Sequence, residues 1–193
     1  MILNINKRKT PYSFYLYVFS FFIFFFIISL YGNAMNQHSP LEIGATVPDV
    51  AGVDQDGHSI QLKSVAQEGI VLFYFYPKAD TPGCTREACN FRDNYKMLIN
   101  NGVKVFGISM DSQEAQKKFK DKYHLPFTLL ADPEGKIVDQ FGVTKRNGHA
   151  SRQSFLAKNG KIVWRNLKVN PDNHVQEVLE EVKNLKDNSA QNR

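Results

Sequence analysis

The chain has 193 residues and a formal net charge of +5, with 42% hydrophobic, 12% aromatic and 22% charged residues. That length allows one domain or two small ones, and the composition excludes a wholly disordered or collagen-like chain. Two cysteines exclude a disulfide-stapled miniprotein and an all-cysteine zinc site. Lys7, Arg8 and Lys9 supply much of the excess charge and no acidic residue precedes Glu42, so the rest of the chain is nearly balanced. No cluster of Lys and Arg interleaved with aromatics follows, so no nucleic-acid partner is expected.

Residues 1–34 read as a different kind of chain. Seven of the fifteen phenylalanines fall there. Lys7-Arg8-Lys9 precedes an uncharged, mostly apolar run, residues 11–31, and then Gly32-Asn33-Ala34, which suits a signal-peptidase cut after Ala34. The run exceeds the usual signal core of about 7–15 residues and lies within the range of about 17–25 for a membrane-spanning helix. Cleaved signal peptide and retained membrane anchor both stay open. Either reading exports the remainder, to the periplasm or to an anchored, outward-facing position. Residues 35–40 read as a polar linker, 41–187 as one domain and 188–193 as a flexible tail.

In chain order, Asp54-Gln-Asp-Gly57 marks a turn between two short strands. Ile70 to Tyr76 is a continuous apolar and aromatic run, which suits a central strand buried on both faces. A helix is expected from Cys84 to Ile99, carrying Ala88, Phe91, Tyr95 and Leu98 on one face. Val103 to Ser109 and Phe127 to Leu130 are further strands. Between them Ser112 caps a helix with Ala115, Phe119 and Tyr123 on one side. Asp132-Pro-Glu-Gly135 is a turn. Lys158-Asn-Gly160 joins strands Ser154–Ala157 and Ile162–Trp164 as a hairpin. A last helix is expected from Asn170-Pro171, with the proline in its first position and a stripe of Val175, Val178, Leu179, Val182 and Leu185. The order implies an α/β fold with a central, mostly parallel sheet flanked by helices. In such sheets the loops at the carboxyl ends of the strands carry the chemistry.

The loop after the strongest strand is Pro77-Lys-Ala-Asp-Thr-Pro-Gly-Cys84. Cys84 stands in the first turn of the expected helix, where unpaired N–H groups and the positive end of the dipole favour thiolate over thiol. A thiol so placed is a candidate nucleophile; a buried structural cysteine is the alternative. Cys89 follows five residues later, which is neither a Cys-x-x-Cys motif nor a zinc knuckle. Residues five apart on a helix are rotated by about 140°, and their Cα atoms lie beyond the roughly 7 Å that a disulfide tolerates. The pair bonds only if the helix opens. The five histidines, His38, His58, His124, His149 and His174, show no ligand spacing and read as surface residues.

Pro77-x3-Thr81-x2-Cys84 resembles the active-site pattern of the peroxiredoxins. Gly83-Cys84-Thr85-x-Glu87-Ala88-Cys89 is similar to that of their bacterioferritin-comigratory-protein, or peroxiredoxin Q, branch. The resemblance covers about residues 41–185. It implies a thioredoxin-like fold and an enzyme reducing hydrogen peroxide and organic hydroperoxides, recycled by thioredoxin or a similar dithiol reductant, and a monomer without metal or organic cofactor. It makes Cys84 the peroxidatic and Cys89 the resolving cysteine. Thr81 would hydrogen-bond thiolate and peroxide, Pro77 would shield the pocket, and Arg152 falls at the active-site arginine. Glu87 is either an ordinary first-turn acid or a partner orienting Arg152. Ser154 stands where Thr is more usual. The rival readings are an exported thiol–disulfide oxidoreductase or redox carrier on the same fold, and a non-catalytic binding module with a structural disulfide.

Overall fold

The computed structural model describes residues 39–191. The expected signal or anchor, its apolar run and most of the linker lie outside the described residues. The end of the linker is already tied down: the Pro40 carbonyl accepts from Arg165 Nη1 at 3.0 Å, and Leu41 N–H donates to the Phe141 carbonyl at 3.0 Å.

The elements are β1 (Ala51–Asp54), β2 (Ser59–Gln61), α1 (Leu62–Gln67), β3 (Ile70–Phe75), α2 (Pro82–Asp93), α3 (Tyr95–Asn100), β4 (Val103–Ser109), α4 (Gln113–Tyr123), β5 (Thr128–Ala131), α5 (Lys136–Gln140), β6 (Lys145–Arg146), β7 (His149–Ala150), β8 (Gln153–Lys158), β9 (Lys161–Asn166) and α6 (His174–Gln191). One seven-stranded sheet runs β2-β1-β5-β4-β3-β8-β9, and β6 and β7 form a separate ribbon. The sheet is mixed. Its middle three strands, β5, β4 and β3, are parallel, and the flanking pairings are antiparallel.

All six residues of β3 are buried, as a central strand requires. The pleat sends alternate side chains to opposite faces. Leu72, Tyr74 and Tyr76 pack with Ala88 and Phe91 of α2, Phe119 of α4 and Val175, Val178 and Val182 of α6. Val71, Phe73 and Phe75 pack on the other face with Leu62 of α1, Ile137 of α5 and Phe141. Each such aromatic contributes about 1.5–3 kcal/mol by leaving water. Gly107 of β4 stands opposite Tyr74 in register. A Cβ there would lie 2.7 Å from the Tyr74 hydroxyl oxygen and 2.8 Å from Leu129 Cδ2, so only glycine lets that ring lie down.

Several local expectations take exact form. The Asp54 Oδ1 atom accepts from Asp56 N–H and His58 N–H, both at 2.9 Å, and closes the β1–β2 turn. Ser112 Oγ accepts from Ala115 N–H at 3.3 Å and caps α4. Asn159 and Gly160, at φ 51° and 75°, make the two-residue turn between β8 and β9.

Two helices differ from expectation. The helix expected over residues 84–99 breaks at Asn94, where φ is −102° and ψ 9°. Asn94 Nδ2 donates to the Asn90 carbonyl at 2.9 Å, a side-chain bond that competes with the helical ladder. The last helix starts at His174, not at Pro171. Asn170 folds the chain into a turn first: its Oδ1 accepts from Asp172 N–H at 3.0 Å and its carbonyl from Asn173 N–H at 3.2 Å. That helix then continues through Gln191, into the segment expected to be a tail.

Candidate active site

Cys84 is the third residue of α2. Thr81 holds the cap position in extended conformation (φ −94°, ψ 152°), Pro82 opens the helix, and Thr85 N–H donates to the Thr81 carbonyl at 2.8 Å. Helical geometry leaves the N–H groups of Gly83 and Cys84 without a partner in the helix, at the positive end of its dipole. The Cys84 side chain is buried and that of Cys89 is half-buried; both are free thiols.

The loop between β3 and α2 is braced from β4 and α4. Asp111 Oδ2 accepts from Ala79 N–H and from Ser109 Oγ, each at 2.7 Å. Asp80, in the left-handed region at φ 58°, accepts from Lys122 Nζ at 2.7 and 2.8 Å and from the Tyr123 hydroxyl at 2.6 Å. These ion pairs hold the Asp80 carboxyl below its ordinary range, through the bonds from Lys122 and then Tyr123. Pro77 is half-buried in this loop. The Thr81 hydroxyl donates to the Lys78 carbonyl at 2.9 Å and so braces the loop itself.

Arg152 immediately precedes β8, whose Gln153 pairs with Phe75 at the end of β3. The antiparallel register thus delivers Arg152 to the cysteine loop. Arg152 Nη2 donates to Cys84 Sγ at 3.2 Å, and Nη1 donates to Glu87 Oε2. Burial disfavours the Arg152 charge, yet Glu87 and Cys84 beside it outweigh that cost and hold its pKa above the ordinary value. Glu87 is 1% exposed. Its other oxygen, Oε1, accepts from His174 Nδ1 at 2.8 Å.

The expectation of a surface histidine is therefore corrected at His174. It is 1% exposed, with its ring 4.8 Å from that of Phe91 and 6.0 Å from that of Tyr74. One sequence signal pointed there: residues 174, 178 and 182 are spaced by four, so His174 extends the buried valine stripe of α6 by one turn. His58 and His124 are exposed, His149 is half-buried, and His38 lies outside the described residues. The bracing acids Asp80 and Asp111 carried no signal of their own. Among the described residues no group of three or more His, Cys, Asp or Glu side chains is placed to hold a metal ion.

The site thus offers a buried sulfur at a helix amino terminus with a guanidinium donor against it. That combination aims a positive group at the sulfur and at charge developing beside it. Known proteins resemble this chain in sequence and fold. The AhpC/TSA family matches residues 43–165. A protein named putative peroxiredoxin bcp from Coxiella burnetii is 42% identical over 149 residues, 72% of this chain and 97% of that one. Peroxiredoxin Bcp of Bacillus subtilis is 39% identical over 155 residues, 75% of this chain and 97% of that one. Among solved structures, peroxidoxin BcpB of Mycobacterium tuberculosis superposes with a TM-score of 0.69 at 32% identity, covering 76% of this chain and 97% of that one.

These relatives bear on localisation too. Export to the periplasm or to an outward-facing anchor is not supported by them, and that expectation is withdrawn. Among the described residues no helix is long and apolar enough to cross a membrane, and the apolar run that prompted the expectation lies outside them.

Proposed function

The chain belongs to the AhpC/TSA family and is a peroxiredoxin, a thiol-dependent peroxidase with a thioredoxin-like fold; from that premise we propose the residues and steps by which it works. Cys84 is the peroxidatic thiol and Cys89 the resolving one. The observation that carries this reading is the Arg152 Nη2 donor 3.2 Å from Cys84 Sγ in the first turn of α2.

The Cys84 thiolate attacks one oxygen of a hydroperoxide. The O–O bond breaks, the sulfur is oxidised to a sulfenic acid, and the departing oxygen takes a proton to leave as water or an alcohol. Arg152 and the free N–H groups of α2 stabilise the negative charge passing from sulfur to oxygen. Thr81 turns its hydroxyl from the Lys78 carbonyl towards the bound peroxide, and Pro77 keeps water from the pocket. The Cys89 thiol then displaces hydroxide from the sulfenic sulfur, giving a Cys84–Cys89 disulfide and water. A dithiol protein, thioredoxin or one like it, reduces that disulfide and becomes a disulfide itself. Hydrogen peroxide and organic hydroperoxides are the substrate class, and the role is antioxidant defence. Both thiols lie in one helix of one chain, so a monomer completes the cycle.

A thiol–disulfide oxidoreductase on the same fold is not favoured, since the relatives are named peroxiredoxins. Titrating the reduced protein with hydrogen peroxide and with an organic hydroperoxide tests the proposal. One equivalent should be consumed rapidly, with loss of two free thiols per chain and no change in mass beyond loss of two hydrogens. Unreacted peroxide would refute it.

A further inference from the structure

We propose that His174 is a positioning residue for the Cys84 thiol, acting through Glu87 and Arg152. The inference rests on Cys84 being the attacking sulfur. The contacts form one unbroken chain: His174 Nδ1 to Glu87 Oε1 at 2.8 Å, Glu87 Oε2 to Arg152 Nη1, and Arg152 Nη2 to Cys84 Sγ at 3.2 Å. It spans three separate elements, α6, α2 and the strand edge before β8.

Each link leaves its neighbour little freedom. A carboxylate accepts and does not donate, so His174 Nδ1 carries the hydrogen. That bond occupies Oε1 and turns Oε2 towards the guanidinium. The guanidinium is a planar fork, so fixing one arm on Glu87 fixes where the other arm points. That other arm meets the sulfur. Glu87 sits one helical turn after Cys84, and at 1% exposure it depends on protein donors, so losing one is costly.

Stability is a poor reason for this arrangement. A buried polar pair of this kind is commonly matched or bettered by apolar side chains of the same volume. His174 is surrounded by rings that an apolar residue would suit, Phe91 and Tyr74, and its Nε2 is buried with no hydrogen-bond partner among the described residues. Among the described residues, the one polar contact its ring makes is to the carboxylate that holds Arg152. The groups facing it are Glu87 and Phe91 from α2 and Tyr74 from β3. Tyr74 is uncharged there, because burial first, and then the charges of Tyr76 and Glu87, push its phenol well above the ordinary range.

The test compares His174→Asn with His174→Gln in the full chain. An asparagine amide lies where Nδ1 lies and can still donate to Glu87; a glutamine amide reaches the Nε2 position and cannot. Both are polar and neutral. The second-order rate for oxidation of reduced protein by hydrogen peroxide is measured by stopped flow, with the KM for the dithiol reductant alongside. The Gln variant should lose about tenfold or more in the peroxide rate. The Asn variant should recover most of it, with the reductant KM unchanged in both. In an Arg152→Ala background the Gln substitution should cost almost nothing further, because its effect passes through the missing arginine. A Gln variant as fast as the wild type, an Asn variant no faster than Gln, or a full additional loss in the Arg152→Ala background would each overturn the proposal. A wild-type protein inert to peroxide would instead overturn the assignment of Cys84.

Discussion

Arg152 and Cys84 lie 68 positions apart in sequence, and Arg152 Nη2 donates to Cys84 Sγ at 3.2 Å. The antiparallel pairing of β8 with β3 makes the meeting unavoidable, because the start of one strand faces the end of the other. Removing the guanidinium should therefore damage the chemistry. Arg152→Ala should slow peroxide consumption by about a hundredfold, in line with loss of one well-aimed donor at a developing charge. Alkylation of Cys84 by iodoacetamide at neutral pH should slow as well, since both reactions use the thiolate. An unchanged alkylation rate would show that Arg152 does not act on the sulfur.

Cys84→Ser should consume no peroxide, since a hydroxyl at neutral pH is a far weaker nucleophile. Cys89→Ser should consume one equivalent and stop, with the sulfenic acid trapped as its dimedone adduct and seen by mass spectrometry. Normal turnover of Cys89→Ser with the same dithiol reductant would assign resolution to another thiol.

The parts of the site that were legible in the sequence are those written in a short stretch of chain. Pro77 to Cys89 spans one loop and one helix, and the buried strand before it announces itself by an unbroken apolar run. The long-range partners were harder to see. Glu87 and His174 are 87 positions apart, and nothing in residues 170–173 distinguishes a surface loop from one that delivers a buried imidazole. The break at Asn94 was hidden for a different reason. The apolar spacing of Phe91, Tyr95 and Leu98 continues across it, while the side chain that interrupts the ladder is polar and leaves no trace in that pattern. The antiparallel pairing of β3 with β8 was hidden because antiparallel and parallel central strands share one signature when both faces are covered.

Gly107→Ala should destabilise the domain. The added Cβ would stand 2.7 Å from the Tyr74 hydroxyl oxygen and 2.8 Å from Leu129 Cδ2, and both neighbours are buried. Overpacking of this kind costs about 1–3 kcal/mol, a fall of several degrees in Tm for a domain of this size. Tyr74→Phe in the same background should recover part of the loss by removing the hydroxyl oxygen, one of three colliding atoms; Tyr74 Cζ and Leu129 Cδ2, each at 2.8 Å, remain. A melting temperature equal to wild type for Gly107→Ala would mean that the ring has room to move.

Asp54 should contribute acid sensitivity. Burial works against its charge, but the N–H groups of His58 and Asp56, and then the His58 ring, outweigh it and hold the carboxyl below its ordinary value of 3.8. A depressed folded-state pKa gives stability that is fully present above the unfolded value and is lost as pH falls through the folded one. The stability difference between wild type and Asp54→Asn, from urea unfolding, should therefore be larger at pH 6 than at pH 3. An equal difference at both would remove the carboxylate from the account.

The last expectation concerns movement during the cycle. Cys84 and Cys89 both lie in α2, and residues five apart in a helix have Cα atoms about 8–9 Å apart. A disulfide tolerates at most about 7 Å, so the first turns of α2 must open before the bond can form. The residues that must move are the ones fastened to the start of α6. Arg86 pairs with Asp172 at 3.0 Å, Glu87 with His174 at 2.8 Å, and Asn90 Nδ2 donates to the Pro171 carbonyl at 3.3 Å. The Arg86–Asp172 pair is exposed and contributes little, so the buried Glu87–His174 bond is the main restraint. Forming the proposed Cys84–Cys89 disulfide should break all three contacts and loosen two segments that are remote in sequence. Hydrogen exchange should show amides of residues 85–90 and 172–175 losing protection together on oxidation, while those of α3 and of α6 beyond Val178 keep theirs. Loss confined to residues 85–90 would mean that the start of α6 is held by other contacts. Equal protection in both redox states, with the Cys84–Cys89 disulfide confirmed by mass spectrometry, would mean that the bond forms without opening the helix.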